Sequence, residues 1–570
     1  MAGKRLIAIR VCGCAAMAVL LAPMGALSEE AASWGYSVRG HGAVGDGSAQ
    51  DTEAVQRAID ACADGGGGTV YFPSGTYLCG SLHLKSGVTL WLDNGATIKG
   101  STSRKDYDPW EKLDFENEAD IETTYFHNAL IWGEDLERVG IAGAGTIDSA
   151  FTKRGGPKAI ALKRCRQVDI RGVRILNAPN YAISLLGTDN VTIDGVTILN
   201  AFADGIDPDS CRNVRIANCH IESVDDAIVP KASFALGERR SCENITVTNC
   251  VLATRCNAFK LGTESGGDFK RIAVSNCVMS GLKGVSPALA GVALESVDGS
   301  NLDGVVVSNL TMVDVRAPIF LRLGNRGRDM DTPVPGTFRN VSISNITATR
   351  ASLACSIAGI PGHPIENVTI SQVRIQFLGG NPRHPSDVPV PEKVENYPES
   401  AMFGPLPAYA WFIRHVDNLT LSDIEVSYEP GFWRLTTDVY RDIHWPEGDE
   451  PPSHSEPGDA GHALFVEDVH GLSIDGLRAR SSGDGTALMR LVDVREALLR
   501  GILPMGDTPV LLEVAGAASA EISLAENALR RVKTPVVMIE GVPADAVEYA
   551  RGSGGETGAI GTGGVSDDHK

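Results

Sequence analysis

Three aspartates in two short phrases have the types and spacing for acid/base chemistry. Ala203-Asp204-Gly205-Ile206-Asp207-Pro208-Asp209 is followed, 21 residues after Asp204, by Val224-Asp225-Asp226-Ala227. In a chain that coils at about that period, the two phrases fall on neighbouring rungs about 5 Å apart along the axis. Carboxylates that close cannot all ionise freely, and their repulsion leaves an acid beside ionised bases. Such a set suits glycosidic hydrolysis, where one carboxylic acid protonates the leaving oxygen and a carboxylate activates water. Adjacent strand residues face opposite sides, so Asp225 and Asp226 share a groove only from a turn or bulge. The competing reading is that these aspartates build Asx-turns at coil corners, and Asp207 and Asp209 are assigned that role. Lys260, Glu264, Glu295 and Arg322 are offered to the same groove. Glu295 either meets sugar hydroxyls, joins the acid/base set or is a solvated strand-edge charge. Lys260 and Arg322 either hold a carboxylate or sulfate or pack their stems with solvated heads.

A repeat must bring these phrases together. A short β-branched phrase recurs at Val139, Val168, Val191, Val214, Ile245, Ile272, Val305, Val341 and Val368, spaced 29, 23, 23, 31, 27, 33, 36 and 27 residues apart. Alternation within each phrase puts one face inward, a face that a single coil cannot bury and stacked coils can. Asn218, Asn249, Asn276, Asn309 and Asn345 recur after the phrases and are expected to form an internal hydrogen-bonded ladder at a turn. Uneven spacing fits loops growing from one side, whereas an antiparallel sandwich needs hairpin signals every 8–12 residues. The prediction is an all-β, right-handed parallel β-helix. A short amphipathic helix from Asp51-Thr52, with Ala54, Val55, Ala58, Ile59 and Cys62 on one face and Gly65 to Gly68 as its stop, caps the N-terminal end. Strand phrases return at Leu419 and Leu472. Residues 378–410 and 428–461 are Pro-rich and polar and read as long loops, and residues 551–570 as a flexible tail.

Composition narrows the partners. Residues 1–28 have the three-part order of an export signal: Lys4, Arg5 and Arg10, an apolar run from Val11 to Leu21, and Ala26-Leu27-Ser28. The catalytic domain is therefore expected over 29–550, secreted or periplasmic, with no membrane association after signal cleavage. The formal charge of −20 argues against nucleic acid. Ten cysteines remain after the signal, several in equivalent repeat positions (Cys219, Cys250, Cys277), and they read as small buried side chains. Pairing of Cys62 with Cys79 is left open. No nucleotide loop, zinc-ligand cluster or catalytic serine motif stands out, so neither cofactor nor metal is expected.

These residues together resemble the family 28 glycoside hydrolases, the polygalacturonase-like pectinases, over nearly the whole mature length. The N-terminal Gly45-Asp46-Gly47 and Gly66-Gly67-Gly68-Thr69-Val70-Tyr71-Phe72-Pro73 are similar to those of many bacterial members. The family's Asn-Thr-Asp appears as Phe202-Ala203-Asp204 and its Gly-Asp-Asp as Val224-Asp225-Asp226. The resemblance implies Asp225 as general acid, Asp204 and Asp226 as activators of water for inverting attack, and Lys231 as a substrate-binding position. Two motifs depart from the family. Its Gly-His-Gly falls on Cys256-Asn257-Ala258, placing Asn257 where a histidine assists the aspartates. Its Arg-Ile-Lys, which grips a galacturonate carboxylate, falls on Ala293-Leu294-Glu295. Repulsion there replaces a charge-assisted pair, which disfavours plain polygalacturonate as substrate. Met402-Phe403-Gly404-Pro405-Leu406-Pro407-Ala408-Tyr409 is similar to a phrase of bacterial polygalacturonase-like proteins. Tyr409 or Trp411 there either lines a sugar subsite or lies in the core, and His415 is read as structural.

The expected partner is thus a cell-wall polysaccharide or oligosaccharide, pectic or related, cleaved by an exported hydrolase, with the long loops closing one end of the groove. A β-helix polysaccharide lyase or epimerase, and a non-catalytic carbohydrate-binding solenoid, are the alternatives.

Overall fold

Alternating β-branched phrases stack in register in the computed structural model, which describes residues 35–379, 384–428, 461–482 and 485–549, and the backbone of 561–562. Val139, Val168, Val191, Val214, Ile245 and Ile272 pair one above the next. The column continues through Val305, Val341, Val368, Leu419 and Leu472. Every pairing between named strands is parallel. The inward faces form one continuous buried cluster along the axis, as a solenoid requires because no single coil covers its own apolar face. The architecture is the expected right-handed parallel β-helix.

The helix Thr52–Asp64 buries Ala54, Val55, Ala58, Ile59 and Cys62, the predicted face. It lies against the first coils, where an uncovered end would expose the core. Asp51 does not cap the helix with its side chain. Its carboxylate accepts instead from the backbone of Val44 at 2.7 Å and Gly45 at 2.9 Å. Among the described residues no helix is long and apolar enough to cross a membrane.

The asparagine ladder exists but is not internal. Asn249 donates to Asn218 at 3.4 Å, Asn309 to Asn276 at 3.0 Å and Asn345 to Asn309 at 2.8 Å, all on the exposed side of a corner. Each of these five asparagines has φ between 53° and 58°, a left-handed conformation that Asn tolerates because its short amide bonds locally. A second exposed ladder runs through Asn190, Asn213 and Asn244. Cys219, Cys250 and Cys277 are buried, and all ten described cysteines are free thiols, so Cys62 and Cys79 are unpaired.

The proposed export signal, the segment 429–460 and most of the proposed tail lie outside the described residues. Residues 384–407 lack regular strands, as their composition predicts. They nevertheless pack as a strap: Val390, Met402 and Phe403 join Ala293, Phe320, Phe412 and Phe465 in a satellite cluster.

Candidate functional site

The aspartates lie on the outer side of one sheet, whose strands include Ile183–Leu186, Ile206–Asp209, Asn257–Leu261 and Ala288–Ser296. Ile183 pairs with Ile206, Ile206 with Ile228 and Ile228 with Phe259. Continuing that register backwards places Tyr181, Asp204, Asp226 and Asn257 in one column, with Ala203 and Asp225 beside it. Asp225 follows the strand His220–Ser223 in a bend. That bend lets two consecutive aspartates face one groove. Ser223 Oγ donates to the Asp225 carbonyl at 2.7 Å, and the Asp226 amide to Asp225 Oδ1 at 3.1 Å.

Each carboxylate faces a cation, and two of the cations are shared. Lys231 Nζ reaches Asp204 at 3.0 Å, Asp207 at 2.7 Å and the Tyr181 hydroxyl at 3.0 Å, all buried. Burial pushes Asp204 well above the usual carboxylate range, with Asp225 and Asp226 adding to it against the pull of Lys231. Burial likewise takes Asp207 up to about 6 despite Lys231. Burial opposes ionisation of Asp225 too, but Arg154 outweighs it and holds that carboxyl below its ordinary value. The Arg154 guanidinium lies 2.5 Å from Asp225 and shares its other face with Glu122. Asp226 accepts from the Asn257 side chain at 2.7 Å and its amide at 3.0 Å, with Lys260 Nζ at 3.2 Å.

Lys260 also lies 3.8 Å from Glu295, whose Oε2 has no hydrogen bond among the described residues. Burial takes Glu295 up to about 8, so it is largely a neutral acid at pH 7. Glu264 bonds Arg328 at 3.0 Å, and against the cost of burial Lys231, Arg326 and Lys260 keep it ionised, below its ordinary value. Tyr397, half exposed, stands over Lys260 and Arg326 with ring centroid distances of 5.6 and 5.7 Å. Asp225, Asp226 and Cys256 bring ligand atoms within 4.8 Å of one another. A metal ion there would have to compete with Arg154 and Lys260.

Asp204, Asp225, Asp226, Lys231, Asn257, Lys260, Glu264 and Glu295 are thus brought into one cluster. Two predicted residues are not. Arg322 pairs with Glu295 in the ladder, but its donors reach the carbonyls of Gly359 at 3.0 Å, Glu392 at 2.8 Å and Lys393 at 2.9 Å. It therefore ties down the strap and is not available to a substrate anion. Tyr409 points into the solenoid core, packed on Phe377 and Tyr428 with its hydroxyl 3.0 Å from the Arg480 carbonyl; Trp411 is buried there as well. The reason is register: both belong to a strand that re-enters the core after the strap. Asp207 and Asp209 are also corrected, since neither forms an Asx-turn. They point outward from a strand, Asp207 to Lys231 and Asp209 to Ser233. His415 bridges Asp468 at 2.7 Å and Glu392 at 3.1 Å.

Arg154, Glu122, Tyr181 and Tyr397 were not singled out in the sequence. Arg154 sits in an irregular Gly-rich loop and Tyr397 in the Pro-rich strap, where no periodicity marks a direction. Tyr181 carried one signal, lying one rung before Asp204.

Residues 62–393 match the family model described as Glycosyl hydrolases family 28. A "Probable polygalacturonase" of Vitis vinifera is 26% identical over 363 residues, covering 59% of this chain and 73% of that protein. An exo-poly-alpha-D-galacturonosidase of Dickeya chrysanthemi is 24% identical over 426 residues, covering 61% and 68%. Among solved structures, a hyperthermoactive exopolygalacturonase from Thermotoga maritima superposes with a TM-score of 0.55 at 21% identity, covering 69% of this chain and 91% of that one. That likeness is one of fold.

Proposed function

The chain belongs to glycosyl hydrolases family 28 and is a polygalacturonase-like hydrolase; from that premise we propose that it is an exported enzyme that cleaves a pectic or related cell-wall glycan with inversion, releasing sugars from one end of the chain. One observation carries the reading of the substrate. Each cation named around the aspartates already holds a protein carboxylate: Arg154 holds Asp225, Lys231 holds Asp204 and Asp207, Lys260 holds Asp226, and Arg328 holds Glu264. At the ladder position where the resemblance implies a carboxylate-gripping pair stand Ala293 and Glu295, and Glu295 has burial enough to stay protonated. A protonated acid donates to a hydroxyl and does not repel a neutral ring, so a neutral or partly neutral sugar at this subsite is favoured over polygalacturonate.

In this mechanism Asp225, protonated from solvent once Arg154 withdraws, gives that proton to the leaving oxygen, while Asp226 deprotonates water and Asp204, whose acid form burial favours, orients it. Asn257 fixes Asp226 through two hydrogen bonds. Asp225 is ionised in the free protein because Arg154 sits on it. Arg154 also contacts Glu122, so it can withdraw from Asp225 as substrate enters and keep a counter-ion.

One-ended action is supported by the strap. On the C-terminal side of Glu295 Val390, Met402 and Phe403 pack over the outward face of the sheet, where a continuing glycan would have to lie.

The test is a polysaccharide and oligosaccharide panel with product analysis by NMR. New reducing ends in the inverted anomer, released as one small product, are expected from neutral or methyl-esterified pectic substrates in preference to polygalacturonate. Unsaturated products, or retained anomeric configuration, would overturn the mechanism; a ladder of mixed lengths would overturn one-ended action.

A further inference from the structure

A pocket of about 460 Å³ lies beside the aspartate cluster, with Arg104, Trp110, Glu122, Tyr125, Asn128 and Asn180 in its lining. Its aromatic wall is a built feature. Trp110 and Tyr125 stack at 5.1 Å between centroids and 12° between planes. With one face covered by Tyr125, Trp110 is still 54% exposed, so the indole presents its other face to the pocket. A tryptophan left that open, held rigid by a ring behind it, costs apolar hydration that a bound apolar surface would recover.

The position of the pocket along the ladder says what that surface is. Ala129 pairs with Lys158, Ile160 with Ile183, and Ile183 with Ile206. Continuing the register back from these pairs, and through Ile206 and Ile228, puts Asn128, Pro157, Asn180, Ala203 and Asp225 in a single column. At about 4.8 Å per rung, Asn180 lies about 10 Å and Asn128 about 19 Å from Asp225. Glu122 belongs both to the pocket wall and to the Arg154 pair that touches Asp225. The pocket therefore adjoins the cluster at its N-terminal side through the Glu122–Arg154–Asp225 contacts, a few sugar units along the axis from Asp225.

We propose that the Trp110–Tyr125 pocket is a distal carbohydrate subsite that holds the far part of the glycan whose bond is cut at Asp225. The open indole face takes the C–H face of a pyranose ring. The pocket mixes that apolar wall with polar groups of Arg104, Asn128, Asn180 and Glu122; Asn180 is bonded to Gly156 and the Tyr181 amide and Glu122 to Arg154, so each would reach a ring hydroxyl as a shared partner. Asn128 donates to the Asp108 carbonyl at 2.8 Å, which holds its amide in place in the pocket wall. The subsite rests on the glycosidase reading for the direction of the chain but not for its own existence.

The test separates the two by measuring binding and cleavage apart. Calorimetry on the full chain carrying Asp225→Asn, which retains uncleaved ligand, is run against two size ladders of two to six units: oligogalacturonides and neutral β-1,4-linked galactan oligomers. Adding Trp110→Ala is expected to weaken binding by about tenfold for five or six units, with the loss shrinking as the oligomer shortens to two. Trp110→Phe, which keeps a ring, is expected to recover most of it. Loss that is equal at every length, no loss, or no binding of either ladder by the Asp225→Asn parent would overturn the subsite. If the protein with Asp225 intact releases no reducing ends from oligomers that show the length-dependent loss, the hydrolase reading falls while the subsite stands.

Discussion

One outward-facing column of the sheet changes character halfway along. Ser184 and Asp207 pair in it, and Lys260 follows two rungs on, next to Ala293. Beyond Ala293 come Phe320, Ser356, Phe412 and Phe465. The polar stretch carries Asp207 and Lys260, whose side chains reach the neighbouring columns of Asp204, Asp225 and Asp226 through Lys231 and the Lys260–Asp226 pair. The apolar stretch carries the strap, pinned by Arg322 and by Arg414, whose guanidinium donates to the carbonyls of Val390 and Pro391, each at 2.9 Å. The inward residues do not distinguish the two halves, which share one core. Backbone register therefore fixes where side chains stand, and the outward residue types alone decide whether a rung is catalytic floor or docking surface for the chain's own loop. Ala293 marks the change, at the position where the family resemblance implies a cation.

The largest effect should come from the polar half. Asp225→Asn is expected to lower kcat by about 10²- to 10⁴-fold with an unchanged melting temperature. Wild-type turnover in that variant would remove the chemistry from Asp225.

On the apolar half, Phe403→Ala should cost about 3 kcal/mol, since Phe403 is buried among Phe412, Arg322 and Arg414. Freed from its anchor, the strap would uncover the floor beyond Glu295, and products should shift from one small sugar to a spread of lengths. A destabilised variant with an unchanged product pattern would mean that the strap does not define the end of the groove.

How much of this contrast was legible in sequence depends on periodicity. The column from Val139 to Leu472 could be read because its inward residues repeat at period two and are β-branched, and the pairing follows those phrases rung for rung. The Asp204 and Asp225-Asp226 phrases were legible for the same reason, their spacing being close to one coil. Asp207 was misassigned because an aspartate in a strand and one in a turn look alike without the register. Arg322 and Tyr409 failed differently. A strand residue beside the groove can turn to a strap whose path the sequence does not encode locally, and the strap's carbonyls took the guanidinium. Arg154, Glu122 and Trp110 come from loops and a four-residue helix, where no repeat constrains direction.

Glu295 tests the boundary between the halves through pH. Its folded-state value of about 8 lies above the ordinary 4.5 because of burial, with Lys260 opposing and Asp226 adding to the rise. The folded state therefore holds a proton that the unfolded chain gives up. Stability from this group is fully present below the ordinary carboxylate range and is lost as pH rises from there through about 8. Glu295→Gln keeps the shape and removes the titration. Between pH 6 and pH 9 the wild type should lose more melting temperature than the variant. Parallel losses would show that Glu295 is solvated like a surface carboxylate.

The smallest stability effect and the sharpest mechanistic one belong to Arg154→Met. The Arg154 side chain is 46% exposed, so the pair with Asp225 contributes at most about 1 kcal/mol to folding. Its consequence for the acid is direct. Arg154 favours the ionised form of Asp225, the form that cannot donate a proton. Removing the guanidinium leaves burial, the largest influence on Asp225 and one that favours the protonated form, against the smaller pulls of Lys260 and Cys256, so the Asp225 value rises. A group that must be protonated to act then stays competent to higher pH, and the alkaline limb of kcat/KM should move upward in the variant. If Asp225 is instead a base, the same rise appears on the acidic limb, narrowing activity from the low-pH side. The limb that moves therefore assigns the role of Asp225. A profile that does not move would place Arg154 outside the working site, on Glu122 alone.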